Sequence, residues 1–143
     1  MAPGFNTRIF NSVTYVNNDN DSEFNYDDNT GELTLVTGGV FRVSGVSIVT
    51  YMDMENHTPS NSSYPGYCTV YDTSTNAQIA TGTISNVASM LPSTFDAIFE
   101  ATEGQSINVQ HQVGADVNNI WLGIAENGSS NHLYASLVLE KLS

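Results

Sequence analysis

Few side chains in this chain can do chemistry: three histidines, one cysteine, and carboxylates drawn from fifteen Asp and Glu. His57, His111 and His132 lack the short spacings that let neighbouring histidines share a zinc ion. His111 alternates with Val109 and Val113, so it shares their face and reads as a hydrogen-bonded histidine rather than a ligand. Cys68 has no second cysteine to pair with. A reactive thiol needs an electropositive setting, and three Lys and Arg in the whole chain do not supply one, so Cys68 reads as a small buried hydrophobe. No Gly-x-Ser-x-Gly nucleophile elbow occurs. Carboxylate pairs arise by chance in an acidic chain, and none sits beside the aromatic cluster that glycoside hydrolysis would use. No catalytic group and no cofactor is expected.

The acidic run NNDNDSEFNYDDN, residues 17–29, raises calcium. An EF-hand loop beginning at Asp19 needs Gly at its sixth place and Glu at its twelfth, where this chain has Phe24 and Thr30. That motif fails. A surface calcium site through Asp19, Asp21 and Asp27 stands as the alternative to a solvated acidic loop.

A chain of 143 residues fits one domain with a real core. Only 13% of residues are charged, so the soluble surface must be made of Asn, Ser, Thr and Gln. The net charge of −12 repels phosphate, so neither nucleic acid nor an anionic membrane is expected as a partner. The start, MAPGFNTRIFNSV, lacks a signal-peptide apolar core, and no window approaches 18 apolar residues. With Met1 as the start, synthesis in the cytoplasm is expected.

The elements that must position these residues are strands. Short alternating runs bounded by Gly, Asn, Asp or Pro recur, and no long segment keeps helical spacing. Strands are expected near 7–16, 33–36, 39–52, 66–73, 77–84, 93–101, 105–113, 119–126 and 132–142, with one turn of helix conceivable over 86–92. Turns are expected at Asp28–Gly31, Thr73–Asn76, Glu103–Gln105 and Asn127–Ser130. This pattern predicts an all-β fold of two packed antiparallel sheets. Alternation puts Phe41, Val43 and Val49 on one face of the 39–52 strand, with Gly45 leaving room between, and Arg42, Ser44, Val46 and Ile48 on the other. In 132–142, Leu133, Ala135, Leu137 and Leu139 oppose Tyr134, Ser136, Val138 and Glu140. Both strands carry apolar groups on both faces, which a sheet with one solvated face should not do. A second copy of the chain is the economical cover.

The order of short motifs then becomes specific. Phe24-Asn25 with Tyr26-Asp27, Thr30-Gly31-Glu32-Leu33-Thr34, Gly39-Val40-Phe41-Arg42-Val43-Ser44, the segment Phe99 to Val109 and the ending Tyr134 to Leu139 together resemble the globular head of complement first-component subunit q and the related tumour-necrosis-factor heads. The resemblance spans roughly residues 10–142. Leu33, Val36, Phe41 and Ser136 depart from that pattern, and no collagen-like stalk precedes the motifs. The resemblance implies a ten-stranded jelly-roll β-sandwich assembled as a compact homotrimer, with residues 1–8 as an N-terminal arm and 9–143 as the single domain. It further implies a trimer interface that includes Arg42, Ser44, His111, Tyr134, Val138 and Glu140. Arg42 is expected either to pair with Glu140 there, within or between subunits, or to extend its guanidinium to solvent.

Three functions fit these expectations. The first is a structural virion protein made in the host cytoplasm: a trimeric decoration or cement protein at threefold positions of a capsid, bound to the major capsid protein or another virion protein. Pro3, Gly4, Phe5 and Arg8 would anchor it to its neighbour. The second is a receptor- or glycan-binding head of a viral or bacterial surface fibre, reading its target with apical loops that carry His57, Tyr64, Tyr67, Trp121, Asn131 and His132. The third is a secreted, extracellular ligand of complement or cytokine type.

Overall fold

The computed structural model describes residues 4–10, 23–48, 50–53, 58–59, 65–86, 92–113, 120–121 and 135–143. Every regular element among them is a strand: β1 (Gly4–Thr7), β2 (Phe24–Asp27), β3 (Glu32–Leu35), β4 (Gly39–Ser47), β5 (Thr50–Asp53), β6 (Thr58–Pro59), β7 (Pro65–Asp72), β8 (Ala77–Thr81), β9 (Ser85–Asn86), β10 (Ser93–Ala101), β11 (Gln105–Val113), β12 (Ile120–Trp121) and β13 (Ala135–Lys141). The large sheet has the order β2-β3-β11-β7-β8, with β1 paired to β11 and β9 to β7. The second sheet is β10-β4-β13, and β12-β5-β6 form a small separate patch. All pairs are antiparallel.

The two main sheets close over one core because their inward residues alternate as the strand period demands. Val43 and Phe95 from the smaller sheet meet Cys68, Val70, Ile107 and Val109 from the larger, and Leu137 and Leu139 pack against them. Cys68 is fully buried, in keeping with its reading as a core hydrophobe. A second cluster of Leu35, Phe41 and Ala101 fills one end. There the Phe41 ring lies 6.0 Å from Phe24, edge-on, and 5.9 Å from Phe99, stacked.

Turn chemistry connects the strands. Asp27 Oδ1 accepts from the backbone N–H of Asn29 at 2.8 Å, and Gly31 N donates to the Asp27 carbonyl at 2.8 Å, closing the β2–β3 hairpin. At the β7–β8 turn the buried Asp72 accepts from the N–H groups of Ser74 and Thr75, the Thr75 hydroxyl and Gln105 Nε2. Two glycines are required sterically. Gly45 lets β13 and the Phe95 ring approach: a Cβ there would collide with the Ser136 carbonyl and stand 2.7 Å from the ring. Gly31 has φ 73°, and a Cβ there would strike the Arg8 carbonyl. Gly31→Ala is therefore expected to lose at least about 2 kcal/mol, the left-handed penalty plus the collision; a urea midpoint within error of the parent's would disprove it.

Three expectations need correction, and a fourth lies mostly outside the described residues. The strand expected over 7–16 is not formed at residues 8–10, and 11–16 lie outside the described set; the first strand is instead Gly4–Thr7, which is not an arm but part of the large sheet, in register with Gln110–Val113. The expected 39–52 strand is two: β4 stops after Ser47, and the Ile48 carbonyl turns to accept from Arg8 Nη2. β2 lies inside the acidic run that reads as a loop, and its alternation is only four residues long. Over 86–92, Asn86 ends strand β9; residues 87–91 lie outside the described set.

Candidate functional site

The outer face of the smaller sheet collects most of the expected interface residues. Cross-strand register sets Ile98, Arg42 and Glu140 in one row and Asp96, Ser44 and Val138 in the next. A third row holds Thr94, Val46 and Ser136. The residues at alternate positions, Phe41, Val43 and Ser47, are buried on the opposite side. Ile98 is 66% exposed and Val138 60% exposed. With Leu142, they give this face an apolar content unusual for a solvated sheet. A shallow depression is lined by Arg42, Asp96, Ala97, Ile98, Glu140 and Leu142.

Within one copy of the chain Arg42 does not pair with Glu140. Its fork takes Asp96 bidentately, Nε to Oδ1 at 3.0 Å and Nη2 to Oδ2 at 2.7 Å. Asp96 is its diagonal neighbour on β10, within reach of a long side chain. Glu140, although directly opposite, acts on Arg42 only through its field. The hydrogen bond from Arg42 holds the Asp96 carboxyl below the usual carboxylate range. Sequence reasoning missed Asp96 and Ile98. Their signal was present, since Thr94, Asp96, Ile98 and Glu100 alternate with Ser93, Phe95, Ala97 and Phe99 along β10.

A second constellation lies inside the sandwich, and it moves two expected site residues. His111 is not at an interface between subunits but fully buried within the protomer, because β11 turns Ile107, Val109 and His111 toward the core. Arg8 is not an outward anchor but 4% exposed. Its Nε donates to Ser47 Oγ at 2.8 Å, and Nη2 donates to the Ile48 carbonyl. Ser47 Oγ in turn lies 2.9 Å from His111 Nδ1. Burial pushes the Arg8 guanidinium down to about 10, and burial followed by the Arg8 charge pushes the His111 ring down to about 4. His111 Nε2 is buried with no hydrogen-bond partner among the described residues. It faces Gly66, where a Cβ would stand 3.2 Å away. Cys68, opposite His111 in register, and Ser93 extend the cluster: the Ser93 hydroxyl accepts from Cys68 N at 2.9 Å and donates to the Thr83 carbonyl. Burial also raises the Cys68 thiol, which keeps it neutral. Ser47 beside His111 has the spacing of a nucleophile and its base, but both are fully buried, so a substrate has no access and the pair is structural.

The remaining expected residues do not converge. Asp27 caps its own turn, and the Asn29 backbone N–H lowers its carboxyl. Tyr67 is half-buried on β7, opposite Gln112. Gly4 and Phe5 belong to β1, and Trp121 to β12, opposite Thr50. Pro3, Asp19, Asp21, His57, Tyr64, Asn131, His132 and Tyr134 lie outside the described residues. Among the described residues no three His, Cys, Asp or Glu side chains gather in one place. No protein-family model matches this chain, and no curated protein does.

Proposed function

We propose that the protein is a non-enzymatic structural virion protein, a homotrimer of jelly-roll domains that decorates a capsid at threefold positions and binds its major shell protein. The observation that carries this reading is the outer face of β10-β4-β13, where exposed Ile98 and Val138 flank the Arg42–Asp96 pair. Apolar groups grouped around an ordered ion pair suit contact with a second copy of the chain. The strand order supports the jelly roll: the path crosses between the main sheets from β3 to β4, from β4 to β7, from β9 to β10, from β10 to β11 and from β11 to β13. A trimer on a shell threefold engages three equivalent contacts at once, so avidity replaces one large interface.

Ultracentrifugation is the first test. The protein is expected to sediment as three copies, and Ile98→Glu to sediment as one copy with an unchanged circular dichroism spectrum, because this side chain stands outside the protomer core. A parent protein that stays single-copy overturns the assembly. Addition to bare capsids in threefold stoichiometry is the second test, and absence of binding there overturns the decoration role.

A further inference from the structure

We propose that His111 is an acid-operated latch on the N-terminal strand: when its ring takes up a proton beside Arg8, β1 leaves the large sheet while the rest of the sandwich stays folded. β1 has four residues and, among the described residues, pairs with β11 alone. His111 lies directly opposite Asn6 in that pairing. The next residue, Arg8, ties the strand's end to β11 through its N–H to the Val109 carbonyl at 2.7 Å, and to β4 through Ser47 and Ile48. One serine hydroxyl thus joins the strand's closing residue to the imidazole.

If it donates to the neutral ring, that hydroxyl has to change roles once the ring is charged: its two lone pairs can accept from both Arg8 and the imidazolium, but its own proton then loses its acceptor. Ser47 Oγ already accepts from Arg8 Nε. If Ser47 now donates to His111 Nδ1, a proton arriving there reverses the bond, and the serine proton needs a new acceptor. If Nδ1 already carries the proton, the new one goes to Nε2, which has no acceptor among the described residues. In both cases a solvent proton adds a second cation next to the Arg8 guanidinium in a dry interior, a costly arrangement that β1 relieves by withdrawing Arg8. Among the described residues, the titratable groups facing His111 are Arg8 from the segment after β1 and Cys68 from β7. Neither supplies a negative charge, since the thiol is neutral. Ser47 and Ser93, from β4 and β10, do not titrate. Withdrawal would also bare the Gln110–Val113 edge of β11, a row of backbone groups able to accept another strand.

The test is backbone hydrogen exchange on the full chain between pH 7 and pH 4.5, corrected for intrinsic exchange rates. Protection of the Phe5–Arg8 amides is expected to fall up to about a hundredfold across that range while β7 and β10 hold theirs. In His111→Gln, which has no proton to take up, the fall disappears. Unchanged β1 protection, a loss shared by the whole domain, or the same loss in His111→Gln overturns the latch. Should His111→Gln not fold, the parent's imidazole resonance decides. A midpoint below the ordinary histidine value, with β1 signals moving together with it, supports the latch; an ordinary midpoint or an independent β1 transition overturns it.

Discussion

Phe41→Ala is expected to destabilise the domain by about 4 kcal/mol, more than any other single truncation in the core. Phe41 is the largest fully buried side chain among the described residues. It sits at the centre of an aromatic cluster with Phe24 and Phe99, and Lys141 Nζ lies 5.9 Å from the ring centroid. Truncation removes the transfer free energy of the ring, both aromatic contacts and the platform under Lys141. Collapse cannot refill the gap, because Phe41 lies on the central strand of the smaller sheet and β10 and β13 hold it on both sides. Urea denaturation at fixed protein concentration measures the effect, and concentration must be held because the proposed assembly would add to apparent stability. A loss under about 2 kcal/mol would mean that the cluster at this end of the sandwich is not packed as described. Phe41→Leu keeps most of the volume and is expected to recover more than half of the loss.

Acid is expected to remove about 3 kcal/mol of stability through one residue. The His111 ring is held down to about 4 by burial and by Arg8, against about 6.5 for a free imidazole. Between those values the unfolded chain binds a proton that the folded chain does not, so stability rises with pH across the window. The contribution is complete above about pH 6.5 and is lost progressively as the pH falls toward 4. His111→Gln cannot bind that proton and is expected to flatten the dependence, leaving the smaller acid loss from hydrogen-bonded carboxylates such as Asp27 and Asp96, both held low in the fold. Urea midpoints at pH 7, 6, 5 and 4 for parent and variant measure the difference. Parallel curves would place the imidazole in an ordinary environment and contradict its burial. A fall confined to the parent is the thermodynamic counterpart of strand release seen by hydrogen exchange.

Alternation was enough to assign faces. Phe41, Val43, Phe95, Leu137 and Leu139 turn inward and Arg42, Ser44, Val138 and Glu140 outward, as a side-chain period of two requires. The hairpins at Asp28–Gly31, Thr73–Asn76 and Glu103–Gln105 were equally plain, since Gly31, Asn76 and Gly104 adopt the positive φ that these residue types allow. These are local properties, governed by sterics within a few residues. What lies across a face is not local. Arg42 finds Asp96 at a separation of 54 residues, Arg8 finds Ser47 at 39, and Ser47 finds His111 at 64. His111 shares an apolar face with Val109 either way, so the sequence could not say whether the opposite sheet or another subunit covers it. Arg8 looked like a scarce surface cation because charge predicts exposure. Only the pairing of β1 with β11 carries it under β4, where one serine and one carbonyl meet its donors.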